Sequence, residues 1–154
     1  MNLVKNRNGL KLVVPETLMN GIAQLGIEHH PNEFGGFLVG KYSDDFKTLY
    51  INNYILPKKY KGHPCLFERS TDGLQEKLEN LFVEKNQYYI GEWHTHPDSS
   101  TQYSQTDLIA MNAIAHHEKV NILNPILLIL SVTKTKLNEY KFYFHKNNQL
   151  LPYE

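Results

Sequence analysis

Tyr88-Tyr89-Ile90-Gly91-Glu92-Trp93-His94-Thr95-His96-Pro97 is the stretch on which both fold and chemistry turn. Its aromatic-rich start predicts a strand running through Trp93 and His94, ended by Pro97 and the polar loop Asp98 to Gln102. In an extended segment residues i and i+2 project to the same side, so His94 and His96 can share one ion. Beyond the loop, Ser104 and Asp107 stand three apart ahead of Leu108, Met111 and Ala115, the pattern of a capped helix with an acid in its first turn. There Asp107 lies near the positive end of the helix dipole, where a metal-binding anion is favoured.

Working outward from this unit, Ile126 to Val132 and Tyr140 to His145 predict two further strands joined by a Lys-rich turn. Upstream, Asp72 is placed to cap a helix with Leu74, Leu78, Leu81 and Phe82 as its apolar stripe and Asn86 as its stop. Pro57 to Pro64, with two prolines and a glycine, reads as a loop. Phe34 to Tyr42 and Thr48 to Leu56 flank Ser43-Asp44-Asp45 as a hairpin. Lys11 to Val14 is a short strand, and Pro15 opens a helix with Leu18, Ile22 and Leu25 at helical spacing, ending near His29-His30-Pro31. With no linker or repeat, the expectation is one domain over residues 1–154: an α+β fold, a mixed sheet flanked by about three helices.

Two histidines and one carboxylate make a three-ligand zinc site with a fourth position open to water, a catalytic rather than a structural set. Cys65 is the only cysteine, so no cysteine pair is present to close the site. Hydrolysis also needs a base, and Glu33, beside Phe34-Gly35-Gly36 at the start of a strand, is the best upstream candidate. Glu92 is its rival, because strand alternation puts it on the face of His94. The other histidines, His29, His30, His63, His116, His117 and His145, form no ligand set and read as surface or capping residues.

Glu33-Phe34-Gly35-Gly36-Phe37-Leu38-Val39-Gly40, then His94-Thr95-His96-Pro97, Ser104 and Asp107 together resemble the JAMM motif of the MPN/JAB metalloproteases. The resemblance implies an MPN/JAB fold, one Zn2+ per chain on His94, His96 and Asp107, Glu33 as general base, and Ser104 helping to stabilise the oxyanion. Thr95 stands where serine is common, and Asp98 to Tyr103 lacks the glycine and tryptophan frequent in eukaryotic members, which points to the compact bacterial type. Such members act as isopeptidases that remove a ubiquitin-like or otherwise conjugated protein from its target. They often accompany ubiquitin-activating-like and ubiquitin-conjugating-like proteins in conjugation or antiviral operons. The alternatives are a peptidase that frees a terminal amino acid from a small sulfur-carrier protein, and a non-catalytic MPN scaffold. The resemblance also suggests that Lys58 to Ser70 helps to hold an extended substrate tail, with either Phe67 and Arg69 or Leu66 and Glu68 facing it.

Other classes fit poorly. Sixteen Lys+Arg balance sixteen Asp+Glu, without the basic excess of a nucleic-acid binder. Ile126 to Leu130 is the longest apolar run, far short of a membrane span, and Met1 to Lys5 opens no signal segment, so a cytoplasmic protein is expected. Neither the Pro-Cys-x-x-Cys of nucleobase deaminases nor the zincin His-Glu-x-x-His is present.

Overall fold

Alternation and helical periodicity sort the chain into ten strands and three helices in the computed structural model, which describes residues 1–154. The strands are β1 (Asn2–Arg7), β2 (Leu10–Pro15), β3 (Gly35–Tyr42), β4 (Thr48–Ile55), β5 (Tyr60–His63), β6 (Leu66–Arg69), β7 (Tyr88–Pro97), β8 (Ile126–Val132), β9 (Leu137–Lys146) and β10 (Gln149–Pro152). The helices are α1 (Glu16–His29), α2 (Leu74–Lys85) and α3 (Gln105–Ala115). Eight strands form one mixed sheet in the order β1-β2-β4-β3-β7-β8-β9-β10, in which β2–β4 and β7–β8 are parallel and the other pairs antiparallel. The result is the expected α+β fold.

The sheet's two faces bury different partners. Ile22 and Met19 of α1 join Ile90, Trp93, Ile126, Leu128 and Leu130 in the larger core. On the opposite face, α3 brings Met111 against Leu127 and Ile129, while α2 lays Leu74, Leu78 and Leu81 over Phe37, Val39 and Ile55. Between the β5–β6 hairpin and α3 the second face is left open above the C-terminal half of β7, and this opening places the site.

Several local expectations change. Pro57 to Pro64 contains strand β5, which pairs with β6 as a separate two-stranded hairpin, because residues 60–63 find partners at 66–69 rather than in the main sheet. Asp72 does not cap α2; Gly73 is the N-cap, with no side-chain cap bond, and the Asp72 carboxylate instead lies 3.5 Å from Lys59. Phe82 drops out of the apolar stripe and is 56% exposed, since α2 covers the sheet with a narrower face. Asn86 does end α2, in the left-handed conformation. Strands β1 and β10 are additional; each closes on a two-residue turn at positive φ, Asn8-Gly9 and Asn147-Asn148. The backbones of Asn6 and Glu154 also exchange two hydrogen bonds of 2.9 Å, so the chain's two ends meet.

The packing of α1 on β7 depends on Gly26. A Cβ there would lie 2.5 Å from the Thr95 Cγ2. Gly26→Ala is therefore expected to lower stability, because overpacking costs about 1–3 kcal/mol, more than the roughly 1 kcal/mol of helix propensity that alanine adds. Adding Thr95→Ser removes the methyl and keeps the hydroxyl, so the double variant should recover most of the loss. Chemical denaturation of the four proteins in a double-mutant cycle measures this coupling.

Candidate metal centre

Strand β7 presents His94 and His96 on the face open between the β5–β6 hairpin and α3, with Thr95 turned the other way into the core. Their Nε2 atoms lie 3.1 Å apart. The His96 Nδ1 is 2.9 Å from the Ser100 carbonyl, which can only accept, so Nδ1 carries the proton and the neutral ring offers a lone pair at Nε2. The supporting loop is itself pinned. Ser131 Oγ donates to the Ser99 carbonyl, Tyr143 donates to the Thr101 carbonyl at 2.8 Å, and Thr101 donates through N–H and hydroxyl to Glu139 at 3.3 and 3.1 Å.

Asp107 arrives from the first turn of α3. Ser104 Oγ accepts from the Asp107 N–H at 3.1 Å while Asp107 Oδ2 accepts from the Ser104 N–H at 2.9 Å, a reciprocal capping box. The same carboxylate bridges the imidazoles: Oδ1 lies 3.2 Å from His94 Nε2, and Oδ2 lies 3.3 Å from His96 Nε2. Its Ser104 cap and its contact with both histidines therefore come from a single rotamer.

Glu33 sits in the link between α1 and β3, two residues before the strand begins, and is 7% exposed. Its neighbour Phe34 exchanges two bonds with Thr95: Thr95 N–H to the Phe34 carbonyl at 2.9 Å, and Phe34 N–H to Thr95 Oγ1 at 3.0 Å. Gly35 lies beside His94, and any side chain there would run into the Trp93 carbonyl, so this glycine allows Glu33 to approach the histidines. Glu33, His94 and His96 each offer one ligand atom, all within 4.8 Å of one another. Both carboxylates thus flank the histidine pair, and their environments differ. Burial raises the Glu33 pKa against the lowering charges of the two histidines. Burial also opposes charge on Asp107, but hydrogen bonds from His94 and His96 hold its carboxyl well below the usual carboxylate range. The two carboxylates are therefore shifted in opposite directions, Asp107 towards the anion and Glu33 towards the acid. Two imidazoles and a carboxylate, with no thiolate, make a nitrogen/oxygen donor set that fits a zinc ion.

Glu92, the rival base, is occupied. Oε1 accepts from Arg69 Nε and an Arg69 terminal N–H at 3.1 and 2.9 Å, and Oε2 accepts from the Tyr89 hydroxyl at 2.7 Å. Arg69 is therefore held at Glu92, while it and Phe67 both line the cleft. The cleft over the histidines has a volume of about 560 Å3 and runs between Pro64–Phe67 and the α3 face at Thr106, Ala110 and Ile114. Among the remaining histidines, His145 departs from the expected surface position: it is 5% exposed, with Nε2 2.7 Å from Asn112 Oδ1. His29 stacks on Phe34 at 3.6 Å, and His30 lies 2.7 Å from Asp98, so both brace the site's surroundings.

Residues 15–144 match the family described as prokaryotic homologues of the JAB domain, Prok-JAB. The chain belongs to this family. A relative of this Prok-JAB chain, a CD-NTase/cGAS isopeptidase from Enterobacter hormaechei subsp. hoffmannii (strain UCI 50), is 30% identical over 129 residues. That match covers 83% of the Prok-JAB chain but 66% of the relative, just under two thirds of its length. The solution structure of protein DSY2949 from Desulfitobacterium hafniense shares the fold, with a TM-score of 0.62 at 17% identity, covering 90% of this chain and 87% of that one. No helix of the Prok-JAB chain is long and apolar enough to cross a membrane.

Metal binding should depend on pH through His96. Burial disfavours its charge, but hydrogen bonds to Asp107 and the Ser100 carbonyl, helped by the charges of Asp107 and Glu33, raise its pKa overall. A metal must displace that proton, so affinity should keep rising with pH beyond the ordinary histidine range of about 6.5. In the metal-free protein the sign reverses. The raised pKa contributes stability that is full below the unfolded histidine value and is lost as pH climbs through the folded one. Co2+ titrations followed by visible absorption, alongside melting of the metal-free protein at stepped pH, measure the two trends. His96→Ala should abolish most binding and flatten its contribution to both.

Proposed function

We propose that this protein is a zinc-dependent isopeptidase that hydrolyses the bond after the C-terminal tail of a ubiquitin-like or otherwise conjugated protein. The observation that carries the reading is the convergence, at one cleft, of two imidazole nitrogens 3.1 Å apart with the Asp107 oxygens at 3.2 and 3.3 Å and buried Glu33 alongside. A scaffold would have no use for a charge cluster this closely matched to a cation. The relative that is a CD-NTase/cGAS isopeptidase supports the choice of bond and the protein conjugate as substrate. The soluble activating-like and conjugating-like enzymes that would build such a conjugate are the partners this reading implies.

In this assignment His94, His96 and Asp107 hold the ion. Zinc bound there would act as a Lewis acid, polarising both water and the scissile carbonyl. Glu33 accepts the proton of the attacking water and passes it to the lysine nitrogen as the carbon–nitrogen bond breaks. Its burial limits competing solvent and raises its basicity. Ser104 uses an oxygen lone pair to cap α3, which leaves its hydroxyl proton free to bond the oxyanion in the cleft. Each half of one hydroxyl then has a separate task.

Glu33→Gln should retain metal and lose most turnover, because an amide keeps the shape but cannot take the proton. Ser104→Ala should cost on the order of 10²–10³ in rate, the usual loss for one oxyanion donor. It should also cost about 1 kcal/mol of stability through the missing cap. Expression of Glu33→Gln in the native host, followed by mass spectrometry of lysine-linked conjugates that accumulate on it, tests the substrate class. Full turnover in Glu33→Gln, or no accumulated conjugate, would overturn the reading.

A further inference from the structure

The hairpin β5–β6 belongs to no larger sheet. A lone two-stranded hairpin is marginal in water, so its position must come from what it docks against. It meets the site in three places, one of them apolar, where Tyr60 and Phe67 pack edge-on against the ring of Phe34 at 5.0 and 5.9 Å. At the tip, the Glu33 N–H donates to the His63 carbonyl at 2.8 Å, and Gly62 alone leaves room for the Glu33 carbonyl, which a side chain there would strike. At the base, Arg69 reaches across to Glu92 of β7, two residues before His94. Side chains of Arg69 and Glu92 are only 24% and 13% exposed, and the guanidinium also lies 4.8 Å over the ring of Phe37.

Tyr89 completes the grip through an irregularity in the sheet. The β3–β7 register passes from Leu38↔Gly91 to Val39↔Tyr89, leaving Ile90 as an extra residue. This bulge shifts the alternation by one, so Tyr89 shares the face of Glu92 and can donate to it at 2.7 Å. Without the bulge, Tyr89 would face α1. The carboxylate of Glu92 is then fixed on both oxygens, one by a planar fork and one by a hydroxyl.

We propose that Arg69 and Glu92, with Tyr89, are positioning residues: their buried network locks the β5–β6 hairpin to the metal-bearing strand and thereby holds Glu33 at its place beside His94 and His96. Arg69 and Glu92 line the wall of the cleft, but Arg69 is spent on Glu92, and Glu92 on Arg69 and Tyr89, so their role is to position and not to react. They act through the chain from Arg69 along β6 and β5 to the His63 carbonyl and so to the Glu33 backbone. This inference rests on the proposed role of Glu33, and its test separates the two.

Hydrogen exchange of the Glu33 amide, read by NMR in the full-length protein, reports the docking without any assay of activity. In Arg69→Met that amide should exchange at least about tenfold faster, while Ile126 to Leu130 in β8 keep wild-type protection, which marks local undocking rather than global unfolding. With a lysine-linked Gly-Gly peptide as probe, kcat should fall on the order of 10²-fold, the cost of about 1 Å of misplacement, at unchanged metal content. Arg69→Lys, which keeps charge but not the fork, should fall between. An Arg69→Met/Glu92→Leu double variant removes the uncompensated charge and should regain melting temperature without regaining kcat. If Arg69→Met does not fold, Tyr89→Phe carries the same exchange measurement with a smaller shift in the same direction. Wild-type Glu33 exchange in whichever variant folds, or kcat restored together with melting temperature in the double variant, would overturn the proposal. Inactivity of the wild type towards all conjugates would instead sink the isopeptidase reading, while the exchange result still decides the docking.

Discussion

Everything at the site is referred to the pair of hydrogen bonds between Phe34 and Thr95. Thr95 lies between the two histidines on a central strand that β3 and β8 pair on either side, so it is among the least mobile positions in the sheet. By binding Phe34 through backbone and hydroxyl together, it gives Glu33 a fixed offset from His94 and His96 although the glutamate lies outside any strand. The hydroxyl is what a valine of equal shape would lack, and its loss would leave a buried N–H without a partner. The methyl of the same side chain fills the gap left by Gly26, so helix α1, strand β7 and the position of Glu33 are tied through one residue.

The carboxylates around this frame are compensated differently. Asp107 stands at a helix N-terminus with two imidazoles at its oxygens, and these outweigh the cost of its burial. Glu33 and Glu92 are pushed the other way, burial raising the pKa of both against the lowering charges of the two histidines and of Arg69 respectively. Carboxylates along one face thus shift in opposite directions, although each is an ordinary acid in the sequence. Overall neutrality of the chain hides this local order.

The strand, loop and helix from Tyr88 to Ala115 are legible in sequence because histidine spacing, proline stop and helix cap all act within a few residues of one another. The choice between Glu33 and Glu92 is not legible by alternation alone. What occupies Glu92 is Arg69, brought from 23 positions away, and Tyr89, whose facing depends on a bulge that no spacing rule reveals. Of the β5–β6 hairpin, the alternation of Leu66 to Arg69 is legible as a strand, but β5 is hidden for a related reason: Pro57, Gly62 and Pro64 carry turn chemistry, while the pairing is stabilised by contacts to Phe34 from outside the segment. Strands β1 and β10 are short, polar pieces at the sheet's margins, yet Asn8-Gly9 was a readable turn signal for the first of them. His145 looks like a surface residue because one polar partner, Asn112, supplies what burial demands.

The meeting of Asn6 with Glu154, reinforced by the Arg7 bond to the Pro152 carbonyl 145 positions away, bears on how the molecule comes to be folded. Such a contact closes a very long loop, so its entropic cost is best met after the central pairings exist. Strand β1 therefore has a complete set of neighbours only once residues 152–154 have emerged from the ribosome and β9–β10 has formed. Until then its outer edge offers unpaired backbone to other chains. The candidate site, on β7, α3 and the link before β3, uses none of the residues of that closure, so its assembly and the sealing of the sheet rest on different contacts.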